Sequence, residues 1–255
     1  MQKNLPFPVI TSSSKVVIVG YGNFGRHLEQ LLCSRAPQLR VDIHQPGPKH
    51  IGDGSFDISE YDIIVLAIPL RVYERAIKDI VPRMKEDAIL VDVGTVKVHT
   101  MALLEKYANR RFWIATHPMW GPETYRKTGE DVRGYKLVVT GYSIPRRLFR
   151  QLRATVKSVG INVVEMAPDQ HDSLLAYSLF VTHYFGQVIS FAGLRRTAID
   201  TISFGYLMDA AESVEKDTSL FLDVLRFNQA LCSAVLARIE DAEHRVRLMM
   251  EGARK

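Results

Sequence analysis

Over the first two thirds of the chain, short uninterrupted apolar runs alternate with segments whose apolar positions recur every three to four residues. Residues 15–20 (KVVIVG), 62–68 (DIIVLAI) and 88–92 are apolar almost throughout, the pattern of strands buried on both faces. Further strands are predicted at 39–44, 112–116, 136–140 and 161–165. Helical spacing fills 23–34, 72–81, the stretch after 93 and a segment opening at Pro145, where Leu148, Leu152, Val156 and Val159 form the apolar stripe. Doubly buried strands separated by helices predict an α/β domain over 15–167, a doubly wound parallel sheet covered on both faces. Residues 1–14 carry two prolines and no apolar centre, and read as a loose leader rather than a signal peptide.

After Pro168 the pattern changes. Residues 168–255 show no strand-like alternation and no further proline, and their apolar residues keep helical spacing. Two long helices are expected, at 169–191 and 219–250, with a shorter one at 207–214. The second domain is therefore read as all-helical, and helices this long in so small a domain predict packing against a second copy, a homodimer.

Composition narrows the class. Of 255 residues 47% are hydrophobic and 24% charged, ordinary for a folded domain and wrong for a disordered one. No apolar run approaches the roughly 20 residues of a membrane span, so no membrane association is expected. Cys33 and Cys232 stand alone, without the spacing of a zinc site or a disulfide framework, which predicts no metal and a cytoplasmic location. A net charge of +5 is too small to imply nucleic acid. Nine Lys/Arg against two acids between 126 and 157 lie partly on the segment after Pro145, and read as a solvated basic helix.

The first chemical signal is Gly20-Tyr21-Gly22-Asn23-Phe24-Gly25, which follows the first strand and opens a helix. In that context a GxGxxG run predicts a Rossmann-type dinucleotide site. Gly20 makes the tight turn, Gly22 admits the pyrophosphate, and Gly25 lets helix and strand close together. Free N–H groups at the helix start favour the phosphates. Asp42, 17 residues beyond Gly25, is the candidate acceptor for a ribose 2′-hydroxyl, which favours NAD, with NADP the alternative; the other placement puts Asp42 one or two residues short of the strand tip and leaves His44 or Gln45 there.

The second signal is Thr116-His117-Pro118-Met119-Trp120-Gly121-Pro122-Glu123, directly after a strand. Strand carboxyl ends line the ligand crevice of such a sheet, so His117 is placed beside the nicotinamide as a catalytic base. Residues 91–97 (VDVGTVK) end another strand at that edge and offer Thr95 and Lys97. Trp120 either stacks on a substrate ring or fills core.

GYGNFG, DVGTVK, THPMWGPE, His171-Asp172 and Val181-Thr182-His183, in that order, resemble the prephenate/arogenate (cyclohexadienyl) dehydrogenase family, and Arg196–Thr201 resembles its short plant-type members. The resemblance implies oxidative decarboxylation of a cyclohexadienyl carboxylate in tyrosine biosynthesis. It implies that His117 engages the ring C4 hydroxyl, that Thr95 hydrogen-bonds His117, and that Lys97 supports the site. Glu123 matches an acidic gate, and His183 a second histidine that holds the substrate. Activity is then expected to fall as pH drops through the His117 pKa.

Two features depart from the family pattern. The helix at 207–212 lacks an Arg for a substrate carboxylate, leaving Arg195, Arg196 or Arg226 as substitutes. Asp217 lies where an acid would suit the arogenate ammonium, or it caps a helix. The missing Arg keeps open an amino-substituted prephenate as substrate. A non-catalytic NAD(P)-binding sensor is the reading from another class. His171 and His183, 12 residues apart, stand about 120° apart around a helix and form no metal pair.

Overall fold

The computed structural model describes residues 8, 10–45 and 57–253. Most of the expected leader lies outside these residues, as do residues 46–56 after the second strand. Contacts divide the chain into two compact units, Met1–Asp169 and Gln170–Lys255.

The first unit is a seven-stranded sheet in the order β2-β1-β3-β4-β5-β6-β7. Its strands are β1 (Lys15–Val19), β2 (Arg40–His44), β3 (Ile63–Leu66), β4 (Ile89–Asp92), β5 (Phe112–Pro118), β6 (Lys136–Tyr142) and β7 (Asn162–Glu165). The helices between them are α1 (Asn23–Arg35), α2 (Tyr73–Ile80), α3 (Lys97–Tyr107), α4 (Pro122–Lys127) and α5 (Arg146–Ser158). Val17, Ile18, Ile64, Leu66 and Leu90 are fully buried, as continuous apolar runs require when helices cover both faces.

The sheet is not wholly parallel. β6 pairs antiparallel with β5, with a register shift at Ala115/Thr116, whereas all other neighbours are parallel. The β5–β6 connection therefore turns back at the edge where β1, β3, β4 and β5 end, and places residues 119–135 along it. On α5 Phe149 is buried against Ile114 and Val139, while Arg146, Arg147 and Arg150 face solvent, the basic surface expected.

The second unit holds α6 (Pro168–Leu175), a π-helical turn over Ala176–Phe180, α7 (Val181–Phe191), α8 (Ile202–Val214), α9 (Thr218–Phe227) and α10 (Gln229–Gly252). The single helix expected over 219–250 is two, meeting at Asn228 with a bend of 107°. Asn228 is buried and its side-chain N–H donates to the Asp172 carbonyl at 2.9 Å, a fixed tether where a straight helix would have continued. Pro168–Phe191 is long and apolar enough to cross a membrane by length and composition, contrary to expectation. It nevertheless buries His171, Asp172 and His183, polar groups suited to a helix that packs inside a protein.

Candidate active site

Gly20 is the sharp turn out of β1. Its φ is +112°, and a Cβ there would lie 2.2 Å from the Ala67 carbonyl oxygen, so only glycine fits. Gly25 is equally constrained, because its Cβ would lie 2.0 Å from the Gly20 oxygen; this is the close helix–strand approach. Gly22 differs: nothing lies within 4 Å of where its Cβ would stand. It caps α1 with no side-chain hydrogen bond, and the first helical turn contains no acid. A rigid glycine turn, open space at Gly22 and an uncapped helix start fit a dinucleotide pyrophosphate. Tyr21 is exposed with Arg26 over its ring, and Arg26 also donates to Asn23 Oδ1 at 3.0 Å. Phe24 lies against His27, inside the unit. Gly22→Ala is expected to leave the melting temperature unchanged and to weaken cofactor binding about tenfold, read by titrating reduced-cofactor fluorescence.

Asp42 does not occupy the expected place. It pairs in register with Val17, two residues short of the end of β2. Its carboxylate accepts from the Tyr61 hydroxyl at 2.9 Å and from Arg40 at 3.0 Å. Burial, and then this carboxylate, push the Tyr61 phenol up to about 12. At the tip of β2 stands Gln45, whose Oε1 accepts from the Tyr21 N–H at 2.6 Å. The carboxylate that favoured NAD over NADP is thus absorbed within the sheet.

His117 lies on β5, beyond the residue that pairs with Asp92, and opposite Val138. It is buried, as is Thr95, three residues past the end of β4. Both occupy the carboxyl edge that also holds the glycine turn. β1 and β5 are separated by β3 and β4, three strand spacings or about 14 Å.

Lys97 is fully buried rather than presented at the edge. Its ammonium donates to Asp92 Oδ2 at 2.6 Å and to the Thr116 carbonyl at 2.5 Å. Asp92 also accepts from the Gly94 N–H at 2.7 Å, and its backbone carbonyl accepts from the Thr116 hydroxyl at 2.7 Å. This network knits the ends of β4 and β5 together immediately before His117. Tyr73, fully buried beside it, donates to the Leu66 carbonyl at 2.8 Å, and burial and then Asp92 hold its phenol well above the usual range. Asp92 and Tyr73 were not singled out from the sequence; an Asp five residues before a buried Lys was the available signal.

Trp120 is held inside the unit rather than offered as a platform. It stacks on Tyr135 at 5.4 Å, and its indole N–H donates to His27 Nε2 at 3.1 Å. Glu123, in the first turn of α4, pairs with Arg126.

In the helical unit His183 is buried, parallel to the Phe221 ring at 6.3 Å, and its Nδ1 has no hydrogen-bond partner. Burial lowers its pKa to about 4. The folded state therefore takes up this proton only near pH 4, whereas an unfolded histidine takes it up near 6.5. Stability is full above that unfolded value and falls as pH drops through the window, by at most about 3 kcal/mol. His183→Phe is expected to flatten that slope in urea titrations at pH 4.5 and 7; an unchanged slope would reassign it to other groups.

His171 Nδ1 lies 2.8 Å from Asp172 Oδ1, both buried. Arg196 is committed to Glu212 and Asp209 of α8, and Arg195 donates to the Leu194 carbonyl. Of the three candidate substitutes for the missing Arg, Arg226 is exposed on the last turn of α9. Asp217 precedes α9 and makes no side-chain cap to it.

Comparison with known proteins agrees with this architecture. Residues 44–136 match the family model described as prephenate dehydrogenase, nucleotide-binding domain. Arogenate dehydrogenase 2, chloroplastic, of Arabidopsis thaliana is 29% identical over 236 residues, covering 86% of this chain and 65% of that protein. Arogenate dehydrogenase 1, chloroplastic, of the same plant is 28% identical over 92% of this chain and 40% of its own length. The chain thus spans less than two thirds of these two relatives. The crystal structure of Aquifex aeolicus prephenate dehydrogenase, solved with hydroxyphenyl propionate and NAD+, superposes with a TM-score of 0.68 at 19% identity, covering 96% of this chain and 93% of that one. In its nucleotide-binding sequence and over most of its length, the chain is similar to prephenate and arogenate dehydrogenases, and it shares their fold.

Proposed function

We propose that the protein is an NAD(P)-dependent oxidoreductase that oxidatively decarboxylates arogenate or prephenate, in tyrosine biosynthesis. The observation that carries this is the buried His117 at the carboxyl end of β5, on the edge where the glycine turn opens. The Gly20–Gly25 turn and the start of α1 would hold a nicotinamide dinucleotide, which would supply the hydride acceptor for ring C4. His117, neutral, accepts the C4 hydroxyl proton, and Thr95 supports it from the neighbouring strand end. The ring carboxylate leaves as CO2 and the ring becomes aromatic, so the protein supplies mainly positioning and one base. His183 supplies a neutral imidazole whose free Nδ1 suits a substrate group, and Asp217 an acid suited to the arogenate ammonium.

Phe191, Ile199, Ile202, Tyr206 and Met249 are exposed on the helical unit, an apolar surface of the kind that pairs with a second copy. Sedimentation giving twice the chain mass is the expected result; a monomer would refute the homodimer. The compartment proposed is the cytoplasm, where Cys33 and Cys232 stay as free thiols.

The deciding assay crosses NAD+ and NADP+ with prephenate and arogenate and follows the absorbance of reduced cofactor. Turnover in at least one combination is expected. Silence in all four, with cofactor still bound, would favour a modified cyclohexadienyl substrate, such as an amino-substituted prephenate, or the sensor.

A further inference from the structure

We propose that His27 is a positioning residue that ties the cofactor-binding helix to the loop carrying the reaction histidine. The inference rests on the oxidoreductase reading above. His27 is the fifth residue of α1, two beyond Gly25, and only 3% exposed. It points away from the cradle and into the unit. There the Trp120 indole N–H, three residues past His117, donates to its Nε2 at 3.1 Å.

The rings that face His27 come from three elements: Phe24 of α1 at 6.0 Å, Trp120 of the loop, and Tyr125 of α4 at 4.8 Å. Trp120 is fixed from its other side by Tyr135. Leu31 of α1 buries itself with Tyr125, Val132 and Ile161, and Trp120 and Tyr135 pack against that cluster. α1 therefore has one end at the pyrophosphate cradle and one flank locked to the THPMWGPE loop.

Between β5 and α4 the backbone is held by the Met119 N–H to the Lys136 carbonyl, and the first α4 bond runs from Tyr125 N–H to the Gly121 carbonyl. The indole bond is the polar link from this stretch to α1. It requires an unprotonated Nε2, and burial favours that form by lowering the His27 pKa. His27 touches neither substrate nor cofactor in this scheme. It fixes the distance between the helix that binds one and the loop that acts on the other.

The test uses the full chain. His27→Phe keeps an aromatic ring and removes the acceptor; Trp120→Phe keeps a ring and removes the donor. Each is expected to lower kcat/KM about tenfold, mainly through a raised KM for the cofactor. The double variant is expected to be no worse than either single one, because both remove the same bond. Without cofactor, tryptophan emission of the wild type is expected to change as pH falls from about 7 to about 4, when the imidazole gains a proton and loses the indole. Trp120→Phe, which leaves only Trp113, and His27→Phe should both abolish that change. Wild-type kinetics in His27→Phe, multiplicative losses in the double variant, or an emission change that survives His27→Phe would each overturn the proposal. A wild type inactive on every substrate would overturn the oxidoreductase reading instead, and the emission titration would still decide the bond.

Discussion

His117→Asn is expected to lose two to four orders of magnitude in kcat while binding the cofactor as the wild type does. The range is what a positioned general base contributes. Asn can still hydrogen-bond the C4 hydroxyl but cannot take its proton, so the loss belongs in kcat rather than in KM. Because His117 is the buried penultimate residue of a strand that Lys97 and Asp92 lock in place, the substitution is expected to leave the fold intact. Single-turnover absorbance, with cofactor affinity measured separately by fluorescence, separates the two effects. Near-normal kcat would remove His117 from the chemistry, and lost cofactor affinity would make its role structural.

Lys97→Met is expected to be the most destabilising single change in the first unit, at about 3–5 kcal/mol, the usual cost of stranding one partner of a buried ion pair. For a chain of this size that is a fall in melting temperature of about 10 °C. Asp92, fully buried, would keep its charge with the Gly94 N–H but lose the ammonium that neutralises it. Asp92→Asn combined with Lys97→Met should cost less than Lys97→Met alone, since no uncompensated charge remains. Thermal unfolding of the three variants gives the answer. A single-variant cost below about 1 kcal/mol would show that the pair does not hold the β4 and β5 ends together.

The strands of the first unit were legible because burial on both faces leaves an unbroken apolar run, and Ile63–Leu66 and Ile89–Asp92 carry that mark plainly. The glycine turn was legible because Gly20 and Gly25 are positions where no other residue fits. Strand direction was not: β6 has the same apolar run parallel or antiparallel, and only its pairing with β5 distinguishes them. The break at Asn228 was hidden because apolar residues keep helical spacing on both sides, while a side-chain bond to Asp172, 56 residues away, sets the corner.

Among the site residues, sequence position located His117 and Thr95 at strand ends but could not say where side chains turn. Lys97 and Trp120 both face inward, onto Asp92 and His27, partners 5 and 93 residues away. Asp42 was open to two placements, because the sequence does not fix whether a carboxylate near the end of a strand stands at its tip or short of it; the register puts it two residues short, at Tyr61.

The π-helical turn over Ala176–Phe180 stores one residue more than an α-helical run of the same hydrogen-bonded length would hold. It stands between His171 and His183, so the angular offset of the two histidines is set by a count. Deleting any one residue of the five would let the run relax into regular α-helix, a gain in local regularity. His183 would keep its face relative to His171 and stay against the Phe221 ring, whereas the same deletion within regular α7 before His183 would rotate it by about 100°. In this stretch a single-codon deletion is thus better tolerated than in the helix on either side, and aligning the chain with a relative whose helix is regular here takes a one-residue gap to pair the same histidine face.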